Sequence, residues 1–449
     1  MNFAKTAGFA SLLLALLAPA GFAALSYAPA DPFSPVRILP DAEVAAGKTG
    51  LDAVAAGNST AVLSAVVKSP ADVKAFLAQC DGLKSDAGAI PAGAIDIRVV
   101  KCWYQAGNAW FCEWRDASGR TLVPELLLHD DALVATDDKT SANTIRAKGR
   151  YVPADSGTLP DADAPRLLPF PLKANCARQL VVAIALPEGT APGLYKGALE
   201  FVADGAAAGK LDIALRVMPF SLRAPRRRYE KGDYLFLSGD TAAAKPADAF
   251  LTRLDPAAFA EDSYVVDADR EDIRKAASRH YHVFTASATP RQLQARRAIG
   301  AASICDFPAV AAIENPWVWR VNKGIAPFLA GYAGVAVPAP AEKENPWGDD
   351  HGRLRSATFR YPLADGGYIP TLADFALRQA YGDVCLLSLV NELARKLLES
   401  EDHLKVVEGR RALAWLTDAQ RDTSAPETTR LDAIAWADRL LKISEMEAR

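Results

Sequence analysis

The chain has 449 residues, half of them hydrophobic, a formal net charge of −3 and an isoelectric point near 6.0. That balance argues against nucleic acid or an anionic membrane surface as a partner. Six cysteines are too few to scaffold a chain of this length with disulfides.

Lys5 precedes an apolar run from Ala7 to Ala18, and Gly21-Phe22-Ala23 offers small residues at the usual cleavage positions. This predicts a secretory signal peptide over 1–23 and a secreted or periplasmic mature chain of about 425 residues, enough for two or three domains. No later stretch is long and apolar enough to span a bilayer, so membrane insertion is not expected.

Residues 24–225 read as β. Alternation is clear at Val73–Leu77, at Ile95–Val99 and from Leu180 to Ile184, with turn clusters of Pro, Gly, Asp and Asn between the runs. Short strands with regular breaks suggest an antiparallel β-sandwich, in one or two sub-domains, the second over about 165–225. Cys102 and Cys112 lie either side of Ala106-Gly107-Asn108; a three-residue hairpin there sets them face to face, as a bridge or as two buried thiols. The charge run from Arg223 to Lys231 reads as a solvated linker.

After the linker the period changes. Strands are expected at Asp233–Leu237, Ser263–Asp267, Tyr281–Ala286, Ala301–Cys305, Gly334–Pro338 and Ala357–Tyr361, with Ala309–Ile313 as a further one. Helices fit 269–280 and 290–299, the latter with Thr289 as cap, Pro290 at its first position and Gly300 beyond its end. Alternation of this kind means a parallel sheet wound by helices. A complete (β/α) barrel takes about 250 residues and eight strands. Residues 226–385 therefore read as an abbreviated, incomplete barrel-like domain, with the missing units between Leu237 and Ser263.

One stretch in this region repeats itself. Glu-Asn-Pro-Trp occurs at 314–317 and again at 344–347. Asn315 can cap a helix that starts at Pro316, and Gly331 can close it in the left-handed conformation. A carboxylate and an amide beside an indole suit a sugar, whose C–H face covers the ring while its hydroxyls take the polar groups. Glu314, Asn315, Trp317 and Trp347 are accordingly candidate ligands of a glycan, and core anchoring of the indoles is an equal reading. His280 and His282 share a strand face without a third ligand nearby, so no metal site is expected. Neither a phosphate loop nor a nucleophile elbow is present, and no cofactor is expected.

From Thr371 the chain reads as helical, with Thr371 and Asp374 as a capping start and Val384, Leu387, Val390, Leu393 and Leu397 at core spacing. Residues 386–449 form the C-terminal helical segment, with further helices over 401–421 and 429–443.

The strand and turn pattern over 177–222, with turns at Pro187-Glu188-Gly189 and Ala191-Pro192-Gly193, resembles the sandwich that precedes the barrel in bacterial relatives of glycoside hydrolase family 123. The resemblance continues at Asn315–Arg320, at Gly331-Tyr332-Ala333-Gly334, at Asn345–Asp349, and at Tyr361-Pro362 before Asp365-Gly366 and Thr371. It covers 90–385 in pieces and adds Arg320, Tyr332, Asp349 and Tyr361 to the candidate substrate residues. It also implies retaining, substrate-assisted chemistry, an exception to the two-carboxylate scheme. In that scheme an Asp orients the substrate's acetamido group and the next residue, a Glu, protonates the leaving oxygen. The counterpart here is Ser263–Ala268, in which Asp267 is kept and Ala268 stands in place of the acid. Glu261, Asp262, Glu271, Glu314 and Glu344 are other carboxylates that could serve. The expected function is a secreted glycoside-hydrolase-like protein for N-acetyl-hexosaminide glycans, with its proton donor altered. Two alternatives stay open: a non-catalytic glycan-binding relative and a structural envelope protein.

Overall fold

The computed structural model of the protein describes residues 25–44, 50–111, 119–238, 252–253, 263–265, 282–285, 288–298, 302–305, 314–337, 346–348 and 359–446. The expected signal peptide, the strand at 309–313 and the helix at 269–280 lie outside these residues.

Two sheets make the sandwich. The first runs in the order Ser26–Ala30, Ser59–Lys68, Ala177–Leu186, Ile95–Ala106 and Arg120–Leu128, with every pair antiparallel. The second runs Phe170–Leu172, Val73–Gln79, Gly193–Ala203, Ala206–Ser221 and Gly50–Gly57, and its last pair is parallel. Leu180, Val182, Ile184 and Leu186 point into the core between the sheets, while Val181 points out. Side chains alternate across a strand, so an unbroken apolar run buries both of its faces. The chain passes from one sheet to the other at Asn58, whose φ of 56° is a left-handed turn that Asn tolerates; its amide donates to Leu222 O at 2.9 Å. Ala177–Leu186 lies between two strands from the first half of the region, so the stretch from 165 contributes a central strand to the first sheet.

The expected Cys102 hairpin is corrected. Cys102 pairs with Pro124, and the loop closes where Gly107 N donates to Gly119 O. The chain does not turn back at Asn108, because Trp110 is held elsewhere: its N–H donates to Glu314 and its indole to Pro35 O. Cys112 lies outside the described residues, among which five cysteines are all free.

The parallel sheet runs in the order Thr252–Arg253, Leu235–Ser238, Gly334–Val337, Ala302–Cys305, His282–Thr285 and Ser263–Val265. All its neighbours are parallel, and the first strand of the region pairs with the last. The order is a rotation of the chain order, with a break between Thr252–Arg253 and Ser263–Val265. Ala357–Tyr361 was expected in this sheet; instead Arg360–Pro362 forms an antiparallel hairpin with Tyr368–Pro370. The reason is Tyr361, which is drawn into the sandwich core.

Six α-helices follow among the described residues: α1, Pro290–Ala298; α2, Pro316–Arg320; α3, Ala326–Ala330; α4, Leu372–Leu398; α5, His403–Ala419; and α6, Pro426–Glu445. Thr289 Oγ1 accepts from Gln292 N and the Gln292 side chain reaches back to Thr289 N, a capping box. Asn315 caps α2, a π-turn over Val321–Ile325 leads into α3, and Gly331 closes it at φ 92°. Thr371 caps α4, which is about 40 Å long. Leu372 and Phe375 at its start pack on the outer face of the first sheet, against Val100, Leu127 and Val181. Farther along, Val384, Leu387, Val390 and Leu397 join α5, α6 and the parallel sheet in a second core. One helix therefore bridges the sandwich and the rest of the molecule.

Candidate functional site

The described residues among those singled out from sequence serve as joints between layers and do not share one site. Glu314 is 1% exposed and accepts from Trp110 N at 2.8 Å. Asn315 is buried as the α2 cap, and Trp317 beside it is half-buried. Arg320 is buried with Nε 2.7 Å from Asp383, whose other oxygen accepts from Arg430 at 2.9 Å and Gln379 at 3.0 Å. Burial works against the Arg320 charge, but Asp383 and Glu427 outweigh it and hold the guanidinium more firmly protonated than usual. Tyr332 is buried in the second core, and that burial pushes its phenol up to about 12.

Trp347 and Tyr361 sit in the sandwich core instead. The Trp347 ring lies 5.7 Å from Trp103 and 5.0 Å from Tyr361, and its indole donates to Pro362 O at 2.8 Å. Tyr361 donates to the buried Glu125 at 3.1 Å; the other Glu125 oxygen accepts from Trp103 at 2.7 Å and Gln105 at 3.2 Å. Every polar tip has a partner, so these aromatic rings can stay dry. The second Trp of the repeated motif is thus a core anchor. Asp267, Ala268, Glu344, Asn345 and Asp349 lie outside the described residues, as do Glu261, Asp262 and Glu271.

What the sequence did not point to is a cleft of about 970 Å³ between the outer face of the first sheet and α4. The sheet side presents Thr60, Asp96, Arg98, Ala183 and Ala185. The helix side presents Phe375, Arg378, Gln379, Gly382 and Cys385, spaced as one face of α4. His129, Asp163, Asp365, Tyr368 and Arg430 close its ends. The space exists because small residues meet there. Ala183, Ala185 and Gly382 all line the cleft, and a Cβ built on Gly382 would meet nothing nearer than Arg430 Nη1 at 3.8 Å.

The charges of the wall are held in pairs. His129 has Nδ1 2.7 Å from Ala164 O and Nε2 2.6 Å from Asp96 Oδ1. Burial alone would raise the Asp96 carboxyl, but the His129 hydrogen bond and the Arg98 charge at 2.7 Å bring it down to about 2. Asp163 accepts from the backbone of His129 and Asp130 and fixes that corner. Asp374, fully buried, takes Arg360 on one oxygen at 2.8 Å and Arg378 on the other at 3.2 Å. A sequence signal for this site did exist. Asp96 and Arg98 alternate with Ile95, Ile97 and Val99 on a strand whose outer face is covered, and Gly382 interrupts a long helix. Among the described residues no cluster of metal-ligating side chains occurs, and no helix is long and apolar enough to cross a membrane.

No protein-family model matches the chain, and no curated protein matches it. Among solved structures, the fold is similar to that of a family 123 glycoside hydrolase from Clostridium perfringens, studied for glycolipid glycan hydrolysis. The TM-score is 0.57 at 9% identity, over 91% of this chain and 100% of that one. The likeness is one of fold alone: β-sheets followed by C-terminal helices. A Bacteroides ovatus family 5 xyloglucanase with a bound heptasaccharide scores 0.17 at 7% identity over 82% of this chain and 62% of that one, too low to carry an argument.

Proposed function

We propose that the protein is a secreted glycosidase-like protein whose ligands are glycans of the N-acetyl-hexosaminide class, with an incomplete barrel and a weakened acid step. The observation that carries this reading is the fold likeness to a family 123 glycoside hydrolase over 91% of the chain. The rotated strand order of the parallel sheet supports it, because a barrel opened at one seam has that order. Barrels carry their chemistry just beyond strand C-termini, and Asp267 follows Ser263–Val265 by two residues. In this scheme Asp267 orients the acetamido group that attacks C1. Ala268 leaves the departing oxygen without a proton, a loss of about 10²–10⁴-fold for poor leaving groups.

The test is turnover of aryl N-acetyl-hexosaminides by wild type and Ala268→Glu, with acidic and with ordinary leaving groups. Slow reaction of the activated substrates alone is expected from wild type, and the substitution should raise the rate on unactivated ones by about 10²–10⁴-fold. Efficient wild-type cleavage of natural linkages would show that Asp267 and Ala268 are misassigned. Glycan binding without any cleavage, lost in Trp317→Ala, favours the non-catalytic relative. Trp347→Ala is unsuited to that test, because Trp347 is in the core.

A further inference from the structure

We infer that the cleft between the sandwich and α4 is a second carbohydrate site, for a neutral oligosaccharide of a few units; the choice of a sugar among neutral polyols rests on the glycan reading above. Its lining comes entirely from the sandwich, the 363–370 hairpin and the helices α4 and α6, with nothing from the parallel sheet. About 970 Å³ stands at the upper end of the roughly 300–1,000 Å³ of ligand sites.

The charge pattern selects a neutral ligand. Arg98 and Arg378 each face a carboxylate within the wall, Arg430 faces the buried Asp383 behind it, and Asp96, Asp163 and Asp374 each face a cation. Asp365 and Arg223, exposed and of opposite sign, remain without an ion pair among the described residues. An anion or a cation would therefore meet no net field, and would have to break a pair to gain one. A hydroxyl can do better. Asp96 is 39% exposed at its side chain and keeps acceptor capacity beyond its His129 and Arg98 bonds, and the Thr60 hydroxyl is exposed on the same wall. Half-buried Phe375, Tyr368 and Tyr381 supply ring surface for C–H faces. Gly382 adds a separate argument. Glycine is a poor residue in mid-helix, and here no close packing demands it. What its missing side chain does is keep the floor of the cleft open.

The experiment is titration of the full mature chain with neutral N-acetyl-hexosamine di- to tetrasaccharides and their sulfated forms, followed by calorimetry. Two variants plug the cleft from opposite walls: Gly382→Leu from the helix and Thr60→Trp from the exposed sheet face. Leu404→Ala, at an exposed position of α5 outside the cleft, serves as the control and is expected to stay within about threefold of wild type. Saturable binding of the neutral set is expected, changing little between about 50 and 500 mM salt and weakened at least about tenfold by either plug. The inference is overturned by absence of saturable binding in wild type, by binding that survives both plugs, or by salt-sensitive preference for the sulfated forms. If Gly382→Leu fails to fold, Thr60→Trp alone decides. Aryl-glycoside turnover, read in the same wild-type samples, separates the two proposals. Turnover without cleft binding sinks this one alone, and cleft binding without turnover sinks only the catalytic reading.

Discussion

His129 shows how a single ring organises a corner. It ties the loop at Ala164 to the strand that carries Asp96, while Asp163 holds its backbone. The consequence for stability follows from Asp96, whose folded value of about 2 lies below its ordinary 3.8. A depressed carboxyl contributes stability that is fully present above the ordinary value and is lost as pH falls toward the folded one. Wild type should therefore lose stability to urea more steeply than Asp96→Asn as pH falls from about 4 to about 2, its advantage being full above about pH 4 and closing below it. Parallel curves would mean that the Asp96 pairs are not made in solution. Residue identity was legible here and burial was not. Glu314, Trp347 and Tyr361 carry the polar and aromatic groups that a sugar site needs, yet each finds those partners inside the protein. A carboxylate beside an indole reads the same way whether its donor is a ligand hydroxyl or the N–H of Trp110.

At the scale of elements, what depends on local chemistry was legible. The caps at Thr289, Asn315 and Thr371 and the closing Gly331 stand where their side chains required. What depends on a distant partner was not. Cys102 opposite Pro124 and Arg360–Pro362 opposite Tyr368–Pro370 are choices among strands that local alternation cannot rank. Thr252–Arg253 is too short to show any period. The seam of Trp103, Trp347, Tyr361 and Glu125 is the joint that decided the second of these pairings, and it gives a direct test. Trp347→Ala should cost about 3–5 kcal/mol in chemical denaturation, since it empties a packed core and leaves Pro362 O unpaired. The half-buried Trp317→Ala should cost much less. Equal, small effects would return Trp347 to the surface.

For the whole molecule, the order of sandwich, parallel sheet and helices could be read from the change of hydrophobic period. The docking of α4 on the sandwich could not: Leu180–Ile184 read as alternating, whereas it is an unbroken apolar run covered on both faces. The interleaving of the sandwich has a further consequence, for the time course of folding. Ala177–Leu186 fills the middle of the first sheet, and Ser64 bonds to Leu180 across 116 residues. Gly50–Gly57 likewise waits for Ala206–Ser221. Ser26–Ala30 can pair with Ser59–Lys68 early. A chain emerging from its amino end must still hold the other edge of Ser59–Lys68 and all of Gly50–Gly57 unpaired until more than half the sandwich has followed. Non-local pairing of this kind is slow. Residues 25–165 produced alone should show no cooperative unfolding transition, whereas 25–222 should be the shortest amino-terminal piece with a closed sandwich. Until then those edges stay open, so the protein depends on its own late-arriving strand, or on a holding partner, to keep them from pairing with a neighbouring chain.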